Sequence, residues 1–248
     1  MDERRVIIGA IGGANQKVAA QEFGRAVAQA GCILLTGGGD RDDGEVKNAT
    51  VQGALAAQDT SAVARAVGVL PAERVDWEWP SSSHLLLHTG APHNVRNVIN
   101  GVTPDVLVVF GGSRGTLAEM GFAAAAGKKL FFYGGHEGGA VARLRKNLAR
   151  YFGAGCSGNH TDLYLRQPIA AFPGAWAQSW TAEDMTALIE STLKTASDWQ
   201  GSVQDLVQCC VNHVCEAGPL GETEFPGLPG CPGARQRFET AIRQISAA

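Results

Sequence analysis

One stretch of the sequence joins an apolar run, a glycine-rich turn and a helical pattern without a break. Residues 106–110 read Val-Leu-Val-Val-Phe, residues 111–116 read Gly-Gly-Ser-Arg-Gly-Thr, and Glu119 follows in the predicted helix. A helix that begins directly after such a turn presents backbone N–H groups without intrahelical partners, at the positive end of its dipole. These groups favour an anion, most often a phosphate. The segment therefore predicts a phosphate-binding site with the Glu119 carboxylate beside it.

The same order of apolar run, turn and helical spacing recurs along the first 155 residues. The predicted strands are 5–11, 32–36, 66–70, 84–88, 106–110 and 129–133, and the predicted helices are 16–30, 45–59, one opened by Pro92, one carrying Glu119, and 139–151. Strands that alternate with helices in this way predict a mainly parallel sheet with helices on both faces. We therefore expect a Rossmann-like, doubly wound α/β domain over about residues 1–155.

Glycines follow three of these strands where ligands bind in such folds. The carboxyl ends of the strands of a doubly wound sheet form the binding edge. Gly12 and Gly13 follow the first strand, Gly37 to Gly39 the second, and the turn at 111–116 the fifth. We expect the three turns to meet at this edge, although Gly12 and Gly13 could equally serve close helix packing.

From about residue 156 the pattern changes to a mostly helical extension, 156–248, packed on the first unit. The elements expected there are a short strand near 163–165, a helix opened by a capping box of Thr181 and Asp184, a helix capped by Ser197 or Asp198, a Pro- and Gly-rich connector over 219–232 and a last helix over 234–245.

Composition narrows the class of protein. The 248 residues are 45% hydrophobic, carry a formal net charge of −3 and have scattered Lys and Arg, which does not favour a nucleic-acid polymer as partner. No apolar run reaches membrane-spanning length, and the first residues lead into a strand rather than a signal-peptide core. We therefore expect a cytoplasmic protein with no membrane partner, whose six cysteines are reduced thiols.

Two groups of polar residues raise the question of a metal. They are Asp40, Asp42, Asp43 and Glu45, and Cys209, Cys210, His213, Cys215 and Cys231. The acidic group could hold a cation or repel a second phosphate, but such a run is more often a solvated loop. The second group lacks a Cys-x-x-Cys pair, and buried thiols are ordinary core residues. We predict no metal and no cofactor.

Four motifs resemble those of the LOG-like proteins, in the same order along the chain. They are Ile-Gly-Ala-Ile-Gly-Gly at 8–13, Leu-Thr-Gly-Gly-Gly at 35–39, Val-Arg-Asn at 95–97 and Gly-Ser-Arg-Gly-Thr-Leu-Ala-Glu at 112–119. The resemblance covers about residues 5–135, and its strongest element is similar to the family signature Pro-Gly-Gly-x-Gly-Thr-x-x-Glu. Many members were once labelled "possible lysine decarboxylase". Characterised members are phosphoribohydrolases acting on nucleoside 5′-monophosphates, whereas molybdenum cofactor carriers and nucleotide sensors among the relatives bind ligand without comparable chemistry.

The resemblance implies roles for the matching residues and a homodimeric assembly. Glu119 and Arg96 are expected to be catalytic. The residues expected to bind phosphate or ligand are Gly111, Gly112, Ser113, Arg114, Gly115, Thr116, Gly12, Gly13, Gly38, Gly39 and Asn97. Gly111 stands where the signature has proline and Ser113 where it has its second glycine. These departures bear on the substrate more than on the fold.

Two functions follow from this reading. The first is hydrolysis of the N-glycosidic bond of a nucleoside 5′-monophosphate to free base and ribose 5-phosphate, with Glu119 stabilising positive charge on the ribose. Arg96 would pair with the phosphate or hold the glutamate ionised. The second is non-catalytic binding of a phosphorylated ligand, such as a pterin cofactor or a signalling nucleotide. Arg114 is either a further phosphate contact or a solvated loop-tip arginine. His84, His88 and His93 precede Arg96; one of them could face the cleft, and none is assigned a catalytic role.

Overall fold

The computed structural model describes residues 5–14, 16–38, 46–57, 65–74, 84–134, 139–153, 155–156, 158–171 and 179–217. Within these residues, seven parallel strands form one sheet. The strands are β1 (Ile7–Ile11), β2 (Ile33–Thr36), β3 (Ala66–Leu70), β4 (His84–His88), β5 (Val106–Val109), β6 (Lys129–Tyr133) and β7 (Asp198–Trp199). Strands β1, β2, β3 and β5 are buried at every position, which is why they read as continuous apolar runs.

Helices cover both faces of this sheet. They are α1 (Lys17–Gln29), α2 (Val46–Ala56), α3 (His93–Val102), α4 (Arg114–Ala125), α5 (Ala140–Phe152), α6 (Gln167–Ala171), α7 (Ala182–Thr195) and α8 (Val203–Ala217), with a 3₁₀ turn at Ala72–Arg74 and a π-helical segment at Asp162–Arg166. Helix α1 is followed by Gly31, whose φ of 72° suits glycine. The predicted capping box opens α7, where Thr181 Oγ1 accepts a hydrogen bond from the Asp184 N–H at 3.0 Å. No helix in these ranges has the length and apolar character needed to span a bilayer.

Side chains of β5 alternate between two core layers. Val106 and Val108 of β5 join the layer under α1, α2 and α8, whereas Leu107 and Val109 join the layer under α3, α4, α5 and α7. This alternation follows from the two-residue period of a strand. In the first layer the rings of Phe23 and Phe110 meet edge to face, with centroids 5.4 Å apart.

The strand order places a crevice between β1 and β5. The order across the sheet is β4-β3-β2-β1-β5-β6-β7, so successive strands are added to one side as far as β4 and to the other side from β5 onwards. Ligands of doubly wound sheets bind outside the carboxyl ends of the strands at such a reversal. The Rossmann-like α/β prediction is confirmed, and the turns after β1 and β5 meet at this point.

Two local predictions for the part of the chain after residue 155 are wrong. Residues 163–165 form part of the π-helical segment instead of a strand; two residues this far apart would share a face of a strand, whereas Leu165 is buried and Leu163 is 39% exposed. Asp198 lies in β7 and pairs with Phe132 of β6, so it does not begin the helix that follows it; its Oδ1 instead accepts from the Val141 N–H in the first turn of α5 at 3.0 Å. Instead, Ser202 precedes α8 and its Oγ accepts from the Asp205 N–H at 3.1 Å.

The extension contributes both to the sheet and to the core. Strand β7 pairs with β6, and α8 packs against α1. The division of the chain near residue 155 stays a prediction. The connector at 219–232 and the last helix at 234–245 lie outside the described residues.

Candidate functional site

A cavity of about 250 Å³ lies at the carboxyl ends of β1 and β5. Its walls are formed by Ala10, Ile11, Gly12, Gly13, Gly37, Lys47, His93, Arg96, Asn97, Ser113, Arg114, Gly115, Thr116, Glu119 and Tyr164. The structure thus brings nine of the sequence-predicted site residues together. Gly38, Gly111 and Gly112 do not line the cavity, and Gly39 lies outside the described residues.

The turn between β5 and α4 leaves a helix N-terminus open to the cavity. Gly111 and Gly112 have φ angles of 87° and 144°, and a side chain on Gly112 would collide with Thr116. Ser113 is the N-cap of α4, with extended backbone and a side chain that makes no capping hydrogen bond. The first-turn amides of α4 have no preceding helical carbonyl to bind. This geometry suits an anion.

Two neighbouring contacts hold this turn in place. Asn147 of α5 donates from Nδ2 to the Gly112 carbonyl at 2.6 Å. A Cβ on Gly12 would lie 3.1 Å from the Gly111 carbonyl and 2.9 Å from Val46, so the turns after β1 and β5 pack closely because Gly12 has no side chain. Gly38 has a different role: at φ 62° its N–H donates to Thr36 Oγ1 at 3.1 Å and closes the turn after β2.

A buried carboxylate lies beside the open helix terminus. Glu119 is 8% exposed, and its Oε1 accepts a hydrogen bond from Asn100 Nδ2 at 2.7 Å. Arg96 Nη1 lies 3.7 Å from the same oxygen. Arg96 and Asn100 are four residues apart on α3, as are Gly115 and Glu119 on α4, so each pair shares a helix face. A side chain on Gly37 would collide with the Arg96 guanidinium, so this glycine makes room for it.

Asn97 presents an amide to the same cavity. Its side chain is 2% exposed, and Nδ2 has no hydrogen-bond partner among the described residues. A Cβ built on Gly115 would lie 3.7 Å from this nitrogen, which puts the amide close to the start of α4. Buried polar groups normally have a partner, so this donor is suited to a bound ligand.

Arg114 is packed against tyrosines rather than extended into solvent. Its Nε donates to Tyr164 Oη at 2.9 Å, and its guanidinium carbon lies 5.4 Å and 5.8 Å from the ring centroids of Tyr164 and Tyr151. The hydrogen bond to Tyr164 raises the pKa of Arg114 above its usual value. The reading of Arg114 as a solvated loop-tip residue is therefore wrong.

Six of the lining residues, among them Lys47 and Tyr164, were not predicted as site residues, and neither was Asn100, which donates to Glu119. Asn100 has a sequence signal, because it lies one helical turn after Arg96. Lys47 follows the acidic loop, and Tyr164 comes from the extension; neither has a local signal. Of the three histidines considered, His93 lines the cavity.

The residues that the structure describes in the cavity wall carry a net positive charge. Lys47, Arg96 and Arg114 are cationic and Glu119 is anionic, so three positive charges and one negative charge leave two positive charges when His93 is neutral. In the described part of the chain, no three His, Cys, Asp or Glu side chains come together as a metal site. The acidic loop at 40–45 and Cys231 lie outside it.

The chain is similar to known proteins at two levels, that of solved structures and that of a family sequence model. A search of curated proteins gives no match. The solved structures include the molybdenum cofactor binding protein of the phototrophic bacterium Rippkaea orientalis, at 29% identity over 52% of this chain and 77% of that one, with a TM-score of 0.44. They also include the molybdenum cofactor carrier protein of Chlamydomonas reinhardtii, at 33% identity over 52% of this chain and 76% of that one, with a TM-score of 0.42. A sequence model of the SLOG cluster4 family matches residues 5–152, which is more than half of the chain. The protein therefore belongs to the SLOG cluster4 family, within the LOG-like proteins that the motifs resemble.

Proposed function

We propose that the protein hydrolyses the N-glycosidic bond of a nucleoside 5′-monophosphate, releasing free base and ribose 5-phosphate. The observation that carries this proposal is the buried carboxylate of Glu119 in the same cavity as the uncapped N-terminus of α4. The helix N-terminus suits a phosphoryl group, and the carboxylate suits the positive charge that develops on a ribose.

The phosphate would bind at the start of α4. A phosphate monoester carries close to two negative charges at neutral pH, which matches the two net positive charges of the described lining residues. The first-turn amides, the Thr116 hydroxyl and the Asn97 amide supply hydrogen-bond donors within the same wall. These groups would fix the ribose relative to Glu119.

The carboxylate would act on the sugar. As the bond from C1′ to the base nitrogen breaks, positive charge builds on the ribose ring, and an ionised carboxylate stabilises it. Water adds to C1′ and gives one proton to Glu119, while the base nitrogen leaves with the bonding electron pair and takes a proton from solvent; Glu119 then returns its proton to solvent. Asn100 and Arg96 support the ionised form, because both contact Oε1 of Glu119.

Hydrolysis can be tested with the purified protein. A panel of nucleoside 5′-monophosphates is incubated with it, and free base is measured by chromatography. We expect base from at least one of them. Glu119→Gln keeps the shape of the side chain and removes its charge, and we expect it to lower turnover by at least about 100-fold. Turnover by Glu119→Gln at the wild-type rate would remove this carboxylate from the mechanism.

A second candidate function is binding without catalysis, and the turn between β5 and α4 favours it. Gly111 has a φ of 87°, which proline cannot adopt, so this turn differs from one built on the proline of the family signature. A carrier of a phosphorylated ligand such as a pterin cofactor would use the same open amides. Release of no base from any nucleotide, together with thermal stabilisation by a phosphorylated compound, supports this second function.

The assembly proposed with either function is a homodimer, as the family resemblance implies. Size-exclusion chromatography with light scattering tests it, because a mass of one chain at all concentrations contradicts it.

A further inference from the structure

Tyr164 reaches the cavity from a segment that the family match does not include. The match ends at residue 152, and Tyr164 lies in the π-helical segment Asp162–Arg166. This segment is held on both sides of Tyr164. Asn94 of α3 donates from Nδ2 to the Leu163 carbonyl at 2.5 Å, and Leu165 is fully buried in the core layer under α4. The position of Tyr164 is therefore fixed by contacts with the Rossmann-like part of the chain.

The Tyr164 hydroxyl in turn fixes Arg114. It accepts the hydrogen bond from Nε, while the ring lies against the guanidinium. An arginine has five N–H donors, and those on the two terminal nitrogens are the ones a ligand can contact once Nε is engaged. Arg114 is also the first residue of α4, so its side chain enters the cavity wall next to the open amides. A long cationic side chain is thereby held near the phosphate-binding site, which lowers the conformational entropy that this side chain loses on binding.

We propose that Tyr164 is a positioning residue for phosphate recognition, holding Arg114 so that its guanidinium meets the phosphoryl group bound at the start of α4. This inference rests on the phosphate-binding site of the proposed function and extends that site into the segment after residue 152. It applies to phosphate monoesters, whether they are hydrolysed or only bound.

Ribose 5-phosphate is the probe that tests it, because it carries the phosphate and has no base to lose. Its dissociation constant is measured by titration calorimetry for wild type, Tyr164→Phe, Arg114→Met and the double variant. We expect Tyr164→Phe to weaken binding about tenfold, since it removes the acceptor that orients Arg114 and keeps the ring. In the Arg114→Met background the same change is expected to have no further effect.

Tyr151→Phe is the matched control. It removes a hydroxyl from the other ring that faces Arg114, but this hydroxyl is not the acceptor of Nε, and Tyr151 does not line the cavity. We expect it to bind like wild type. Melting temperatures within about 2 °C of one another would show that all variants fold alike.

The outcomes separate this inference from the proposed function. If wild type binds ribose 5-phosphate and Tyr164→Phe binds it equally well, the positioning role of Tyr164 is overturned while the phosphate-binding site is supported. If Tyr164→Phe weakens binding as strongly in the Arg114→Met background, Tyr164 acts on the fold and not through Arg114. Failure of wild type to bind ribose 5-phosphate overturns both the positioning role of Tyr164 and the phosphate-binding site. Binding without hydrolysis of any nucleotide overturns only the enzymatic function.

Discussion

Replacing Asn100 by alanine tests how far the buried carboxylate depends on its amide donor. Asn100 is completely buried, and its Nδ2 lies 2.7 Å from Oε1 of Glu119. A hydrogen bond to a charged group contributes about 1.5–3 kcal/mol. This one is short and shielded from water, so we expect Asn100→Ala to lower the free energy of unfolding by about 2–3 kcal/mol.

A double-mutant cycle with Glu119→Gln separates the charge from the packing. The glutamine keeps an oxygen that can accept from Asn100, but a hydrogen bond between neutral groups is about half as strong. In this background Asn100→Ala should therefore cost only about 1 kcal/mol, and the coupling energy should be about 1–2 kcal/mol. Urea unfolding of the four proteins, followed by circular dichroism and extrapolated to water, gives these values. A coupling energy of zero within error would refute the reasoning.

Asn97→Ala is the control on the same helix. Asn97 is as buried as Asn100, but its Nδ2 has no partner among the described residues. We expect this substitution to cost less than about 1 kcal/mol of stability and to weaken ribose 5-phosphate binding about tenfold. If both substitutions destabilise the protein equally, loss of packing in α3 explains the effect and not the contact with Glu119.

Two further predictions concern the turn before α4 and the cap of α7. Gly112→Ala should lower the free energy of unfolding by roughly 3 kcal/mol and weaken phosphate binding, because the new side chain is strained and collides with Thr116; Gly31→Ala, which has a positive φ and open space, should cost about 1 kcal/mol without affecting binding. Hydrogen bonds from Thr181 lower the pKa of Asp184, so its stabilising effect is present above the unfolded-state pKa and is lost as the pH falls through the folded-state pKa. Asp184→Ala should therefore be less stable than wild type at neutral pH and equal to it at strongly acidic pH, as measured by denaturant unfolding; a constant difference would contradict this sign.

Most strands could be predicted because each is an apolar run bounded by turn residues, whether it is buried at every position like β3 or only partly buried like β6. β3, β4 and β6 have the bounds that their apolar runs predict. β7 has no such pattern: it consists of Asp198 and Trp199, and it is a strand because the outer edge of β6 is available for pairing. That pairing depends on the completed sheet, so local spacing cannot reveal it. The same holds for Tyr164, whose approach to Arg114 depends on how the extension packs.

The candidate site divides in the same way. Spacing along α4 predicts that Glu119 lies near the open amides, since residues 115 and 119 share a face, and spacing along α3 could have added Asn100 to Arg96. The distinction between glycines that line the cavity and glycines that shape its turns needs coordinates. Gly38 illustrates this, because its N–H closes a turn with Thr36 and the residue does not line the cavity. A glycine motif alone does not separate these two roles.

The energetics of Arg96 and Glu119 also favour a ligand site over a structural role. Both side chains are at most one-tenth exposed, so each loses most of its hydration on folding. Their separation of 3.7 Å exceeds the roughly 2.7–2.9 Å of a direct charge-assisted hydrogen bond. A buried ion pair with imperfect geometry stabilises a fold no better than apolar residues of similar volume, because desolvation costs more than the attraction returns. The attraction between these two charges therefore adds little to stability beyond the hydrogen bond from Asn100, and their place on the wall of a cavity that also holds an uncapped helix terminus fits the proposed binding of a charged ligand, whose phosphate and ribose they would contact.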